Sequence, residues 1–203
     1  VSTRLISTIT EPQDQIVSLN EAKQQCRIPI DDTDPDTLAL LSLFIKSATR
    51  SCEQFTWRQL PSGTFEYRMD AFPQGDEAIE LPKNPVSEIT SIHYRNSDGA
   101  YTELDRSKYT TDIYSQPARI QPLTAWPQIQ DYMDSVIITF TAGYDGTIHK
   151  MPEDLKVSIL QLVGFLFNNR ENVAVTEGRS LTVKELPWTT KHIWGVHSLR
   201  SFV

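Results

Sequence analysis

Phe140-Thr-Ala-Gly-Tyr-Asp-Gly-Thr-Ile-His-Lys-Met-Pro-Glu-Asp-Leu-Lys156 joins the end of a β region to a helix that must be buried. Val136 to Thr141 is β-branched and aromatic, which predicts a strand. Gly143 and the pair Asp145-Gly146 then bring turn chemistry. Pro152 suits a first helical position, where a missing N–H is harmless, and Glu153 and Asp154 complement the positive helix end. From Leu155 to Phe167 nearly every face is apolar, too much so for a surface helix. The run is also too short, and too interrupted by Lys156 and Gln161, to span a bilayer. Such a helix packs between partners, in its own subunit or in a neighbour's.

Upstream of this junction the chain alternates, and further upstream it is helical. Strands are predicted at residues 64–70, 77–81, 86–95, 100–104, 109–112, 118–121 and 135–141, with Asn96-Ser-Asp-Gly99 as a hairpin turn. Before them, Ser18-Leu-Asn-Glu21 is a capping box that opens a short helix to about Arg27, ended by Pro29. Asp34 as cap and Pro35 at the first position open a second helix running to about Trp57. Its stripe is Leu38, Leu41, Ile45, Ala48, Cys52 and Phe55, and Leu40, Leu43 and Phe44 widen it enough to cover more than one face.

The fold class is therefore α+β: a small helical bundle with an antiparallel β region inserted between the second helix and the long helix of the C-terminal half, followed by an extended C-terminal tail. The expected division is residues 1–17 as an N-terminal arm, 18–60 and 147–172 as helical core, 61–146 as the inserted β region, and 173–203 as a loop and C-terminal docking segment.

Charge narrows the function. The net charge of −7 argues against a sequence-specific nucleic-acid binder. The last twenty residues run the other way, with Lys184, Lys191 and Arg200 against Glu185 alone. That segment also holds Trp188, Ile193, Trp194, Leu199 and Phe202. A basic, aromatic end on an acidic body fits docking onto an acidic neighbour, since buried aromatic anchors carry much of an interface's energy; the alternative is a segment that folds back over its own domain. Cys26 and Cys52 fall on apolar helix faces and read as packed thiols of a reducing compartment. With no signal-peptide pattern, the chain reads as made and used without secretion.

Catalytic and metal chemistry is sparse. Asp32, Asp34 and Asp36 imitate the start of a calcium loop, but Thr37 and Leu43 stand where glycine and glutamate are required. His93, His149, His192 and His197 match no zinc spacing, and there is no nucleophile elbow or phosphate-binding loop. The alternative to a structural role is a small hydrolase or ligand-binding module with its site in the β insertion, for which Asp145 is the first residue to test.

Taken in order, several short pieces resemble the head–tail connector (head-completion adaptor) proteins of tailed bacteriophages. The carriers are Ser18-Leu-Asn-Glu-Ala-Lys23 with Arg27-Ile28; the long helix ending Cys52-Glu-Gln-Phe-Thr-Trp57; residues 81–92; Ala142-Gly-Tyr144; Met151-Pro-Glu-Asp-Leu-Lys156; and Asn169-Arg-Glu171. The resemblance runs from about Ser18 to Pro187, most of the chain. Where the family commonly has glycine after that threonine, this chain has Trp57.

The resemblance implies a non-enzymatic virion protein without cofactor or metal. It implies a homo-oligomeric ring, generally dodecameric, beneath the portal protein. The ring extends the DNA channel, lets the genome pass without sequence-specific binding, and meets the next connector or tail-completion protein. Its place would be the virion neck, and the host cytoplasm during assembly, with no membrane partner. Residues expected to dock on the portal are Trp188, Lys191, Ile193, Trp194, Leu199, Arg200 and Phe202. Residues expected to pack the ring-building helix are Leu155, Ile159, Leu162, Phe165 and Leu166. Deleting residues 188–203 is then expected to leave a folded subunit that no longer joins portal-bearing heads.

Overall fold

A computed structural model of the chain describes residues 5–10, 15–129, 132–169, 173–176, 179–183 and 188–199. It has two units: a β unit of residues 1–14 and 58–150, and a helical unit of residues 15–57 and 151–203. The β region is thus carried between the second and third helices.

The β unit is built on a five-stranded antiparallel sheet in the order β1-β2-β8-β4-β5. These strands are β1 (Leu5–Thr10), β2 (Gly63–Met69), β4 (Val86–Arg95), β5 (Tyr101–Glu103) and β8 (Val136–Ala142). A smaller sheet orders β3 (Ile79–Glu80), β7 (Arg119–Pro122) and β6 (Tyr109–Asp112). β2 and β8 pair in unbroken register from Gly63↔Ala142 to Met69↔Val136, and both alternate strictly between buried and half-buried residues. That period of two puts Phe65, Tyr67 and Met69 in one core with Val136, Ile138 and Phe140. Trp126 joins the same core, stacking on Phe72 at 4.8 Å and donating Nε1–H to Glu77 O at 2.8 Å. The Asn96–Gly99 turn forms as its residues predict. Asn96 Oδ1 accepts from the N–H groups of Asp98 and Ala100, and Gly99 has φ +79°.

The N-terminal arm is not wholly free of regular structure: β1 pairs antiparallel with β2, Ile6 opposite Tyr67. Six residues lacking helical periodicity became an edge strand because an unpaired strand edge was available to them.

At the end of β8 the junction motif is packed against the entry to β2. Gly143 N donates to Pro85 O and Tyr144 N to Leu60 O, both at 2.8 Å. Gly143 has φ +119°, and a Cβ there would stand 2.5 Å from Pro61 O and 2.6 Å from Ser62 Cα. Only glycine fits both the angle and the space.

The helical unit contains α1 (Leu19–Gln25), α2 (Pro35–Thr56), α3 (Glu153–Asn168) and α4 (Trp188–His197). The capping box is present in both directions: Glu21 N donates to Ser18 Oγ, and Ser18 N donates to Glu21 Oε2. Asp34 caps α2 by accepting from Thr37 N at 3.0 Å. Pro152 occupies the cap of α3 rather than its first position, with Glu153 and Asp154 in the first turn. The fully buried stripe of α2 is Leu41, Ile45, Ala48 and Cys52, flanked by Thr49 and Thr56.

α3 packs against α1, α2 and α4 of its own chain, which accounts for a helix apolar on nearly every face. The start of residues 173–203, expected as a loop, contains β9 (Val173–Thr176) and β10 (Arg179–Val183), paired antiparallel. The segment expected as an extended tail holds the ten-residue α4. Sequence periodicity missed α4 because its apolar residues serve two opposite faces.

Candidate functional site

The C-terminal helix has an inner and an outer face, and they divide the residues expected to dock. Trp194 lies inside. It is 1% exposed, its ring meets Phe55 at 5.6 Å, and its Nε1–H donates to Ser158 Oγ at 2.8 Å. Ser158 in turn donates to Leu155 O at 2.6 Å, so the indole closes a buried polar chain rather than leaving an orphan donor. Trp194 is therefore a core residue of its own subunit and not a docking residue. The expectation that removing residues 188–203 leaves a folded subunit conflicts with this burial, because removal would open the helical core.

Other contacts fasten the same helix. His197 Nε2 lies 2.7 Å from Asp154 Oδ2, Thr189 Oγ1 donates to Gln161 Oε1 at 3.3 Å, and Leu199 N donates to Thr56 O at 3.0 Å. Burial works to raise the Asp154 carboxyl pKa, but the hydrogen bond and charge of His197 bring it below the ordinary value. Ile193 and Leu199 are half-buried, and Thr190 is buried with no hydrogen-bond partner for its hydroxyl.

The outer face is different. Trp188 is 74% exposed and stacks on His192, with ring centres 5.0 Å apart and planes 11° from parallel. Lys191 and Val196 are exposed beside it. Lys191, His192, Gly195, Val196 and Phe55 line a shallow groove of about 420 Å³. An aromatic plate, a cation and an apolar groove on one short helix can receive a partner side chain of matching shape and negative charge. His192, Val196 and Phe55 are not among the residues that the sequence marks for docking. The spacing from Trp188 to His192 is i to i+4, which marks a shared face once the segment is known to be helical. Arg200 and Phe202 lie outside the described residues.

The helix expected to pack a ring is largely consumed inside the subunit. Leu155, Ile159 and Leu162 are buried among the chain's own helices, while Phe165 and Leu166 are half-buried. Gly164 faces α1, with the Gln25 side chain 3.2 Å from where a Cβ would stand. The Glu21–Lys156 pair, at 2.6 Å, ties α1 to α3. It holds the Glu21 carboxyl at about 2, with the Lys156 hydrogen bond as the main cause and the Ser18 N–H next.

Asp145, the residue singled out for chemistry in the β insertion, is occupied in its own turn. The Asp145 carboxylate accepts from the N–H groups of Thr147, Ile148 and His149 and from the Thr147 hydroxyl. Despite partial burial these bonds keep it below the ordinary pKa, so it is a turn acceptor and not a proton donor. His149 Nε2 lies 2.9 Å from Val86 O. Among the described residues no cluster of three His, Cys, Asp or Glu could hold a metal, and no helix is long and apolar enough to cross a membrane. Acidity is concentrated here: the β unit has nine Lys and Arg against fifteen Asp and Glu, the helical unit ten against eleven.

Residues 16–121, more than half of the chain, match the family described as "Phage gp6-like head-tail connector protein". No curated protein matches. Among solved structures, the neck of an empty gene transfer agent (GTA) particle computed with C6 symmetry contains a chain of the same fold, 20% identical, with a TM-score of 0.76 over 98% of this chain and 97% of that one. A chain in the virion of the native GTA particle gives the same identity, coverage and TM-score. One in the neck of the native particle computed with C12 symmetry has a TM-score of 0.67 at 20% identity, again over 98% of this chain and 97% of that one. At that identity the likeness establishes the fold.

Proposed function

The chain belongs to the phage gp6-like head-tail connector family, and we propose that it forms a homo-oligomeric, twelvefold ring in a virion neck, docks beneath the portal protein and extends the DNA channel. The observation that carries the docking reading is the division of α4. Trp194 anchors the helix from inside, which leaves Trp188, Lys191 and the neighbouring groove to face a partner. A rigid aromatic–cation patch repeated around a ring gains by avidity, so weak single contacts suffice. The C6 and C12 symmetry named for the similar necks supports a cyclic assembly.

The acidic β unit fits a channel wall. Tight binding to DNA requires Lys and Arg to neutralise phosphates and release counterions, and a unit with an excess of carboxylates does the opposite. Passage without adhesion is what a conduit needs. The next connector or tail-completion protein would meet the face of the ring away from the portal. The family's role is structural, and the consumed Asp145 carboxylate gives no support to hydrolysis in the β insertion.

The test is the double variant Trp188→Ala, Lys191→Glu. It changes exposed side chains and gives up the surface stack on His192, so thermal stability should fall by no more than about 1 kcal/mol. Its incorporation into portal-bearing heads should fall at least roughly tenfold, as expected when an anchor and a charge are lost together. Normal incorporation of a folded double variant would remove α4 from the docking surface.

A further inference from the structure

One apolar face of α2 takes no part in the core. Leu41, Ile45, Ala48 and Cys52 point inward, whereas Leu43 is 61% exposed and Leu40 and Phe44 beside it are only half-buried. One and two turns further along the same side stand Lys46 and Arg50, both exposed and neither in an ion pair among the described residues. This patch is apolar with a basic rim.

A second patch has the opposite rim. Ile30, in the connection before α2, is 58% exposed. It is held on a built loop, because the buried Lys23 reaches across with Nζ to donate to Ile30 O at 3.0 Å and Asp32 O at 2.6 Å. Around Ile30 the sequence places Asp31, Asp32, Asp34 and Asp36. Asp34 caps the helix, Asp32 accepts from Asp34 N and Asp36 lies in the first turn of α2, but the carboxylates of Asp31 and Asp36 are exposed and available to a partner. A large aliphatic side chain fixed in solvent by a buried lysine is preorganised for contact.

We propose that these two patches are the two halves of the contact between neighbouring copies of this chain. Ile30, with its acidic rim, would pack on Leu43, with its basic rim, of the next copy. The partner is a second copy because each patch finds its complement in charge and polarity on the same chain. Two different patches that fit one another make a head-to-tail contact, which closes into a ring when the rotation allows. The patches lie on the helical unit, which is close to neutral, so copies can approach there without the repulsion that the acidic β unit would impose. The inference rests on the ring reading above and assigns its subunit contact.

The test uses the full chain with Cys26→Ser, Cys52 being buried. After joining to portal-bearing heads, Ile30→Cys with Leu43→Cys is treated with a short bismaleimide. The expected result is a ladder of crosslinked species ending at the closed ring, with no crosslinked product from either single variant. Separately, Lys46→Asp with Arg50→Asp should lower retention on heads roughly tenfold, and adding Asp31→Lys with Asp36→Lys should restore it. Three results would overturn the contact: retained chain without a ladder, dimers from Leu43→Cys alone (which means a twofold contact), or charge reversal without effect. If the parent chain itself is not retained on heads, the connector reading fails as well, and that outcome is distinct from the other three.

Discussion

Different kinds of interaction order the β unit and the helical unit, each within itself. In the β unit order comes from long-range register: β2 and β8 are far apart in sequence, pair without a slip, and meet at a junction that admits no side chain. In the helical unit much of the order is local. Caps, first-turn acids and a single i to i+3 box start the helices, and tertiary packing then closes around Trp194. A unit fixed by register is hard to vary and well suited to be a wall. A unit assembled from locally specified helices can keep its core while presenting different outer faces, which is where both proposed contact surfaces lie.

The sharpest way to break this contrast is Gly143→Ala. An alanine would have to keep φ near +119° with its Cβ 2.5 to 2.7 Å from Pro61 and Ser62 backbone atoms, or give up the hydrogen bonds to Pro85 and Leu60. Backbone strain and a backbone clash together predict a loss of about 3 kcal/mol or more. The clashing atoms are main chain, so no rotamer change relieves them. Urea denaturation followed by aromatic fluorescence measures it. A loss below about 1 kcal/mol, within the ordinary range for single substitutions, would mean that the junction yields and that register does not hold the β unit as described.

The matching change in the helical unit is Glu21→Gln, and its effect is smaller because it is local. The substitution removes the charge that faces Lys156 and weakens the capping box, for a loss of about 1 kcal/mol once solvent screening of a pair about one-third exposed is allowed for. The pH dependence has a definite sign. The Glu21 carboxyl is lowered from 4.5 to about 2 on folding. Its stabilisation is therefore complete above 4.5 and is lost as pH falls through about 2. The parent should lose stability across that window and Glu21→Gln should lose correspondingly less. Equal acid sensitivity in the two would show that the Glu21–Lys156 pair adds nothing. Asp112, a carboxylate of the β unit lowered to about 2 chiefly by Ser115 and then Arg119, titrates in the same window. The comparison must for that reason be between variants and not between units.

Local chemistry is also what makes parts of the molecule legible from the amino-acid sequence. Ser18 with Glu21, Asp34 with Pro35, and the Asn96–Gly99 turn each contain their own instruction within four residues, and each forms accordingly. The seven strands from β2 to β8 are legible to within about two residues at their ends, and β2, β7 and β8 show the period of two that marks them. What is not legible depends on partners distant in sequence. β1 exists because β2 offers an edge. α4 exists because Phe55 and Ser158 receive Trp194, and neither is near it in the chain. The site residues divide on the same principle. Exposure of Trp188 and burial of Trp194 cannot be told apart in a string where both are tryptophans on a basic segment. The acidic balance of residues 58–150, by contrast, is a property of composition and is visible in the string itself.

Trp57 gives the smallest effect and the finest test of the contrast. It ends α2 with φ +59° and ψ +29°, the left-handed conformation that glycine adopts without penalty. A non-glycine residue there is strained by roughly 1 kcal/mol. Trp57→Gly relieves that strain, but it also frees the unfolded chain, which takes back about half of the gain or more. The ring, 48% exposed, gives up some packing too. The expected outcome is a small net change, between zero and about 0.5 kcal/mol of stabilisation, read as a shift in melting temperature of a few degrees at most. A destabilisation of about 1 kcal/mol or more would mean that the half-buried part of the indole is worth more than the strained backbone costs. The end of α2 would then be held by tertiary packing, as the β unit is, and not by local conformation.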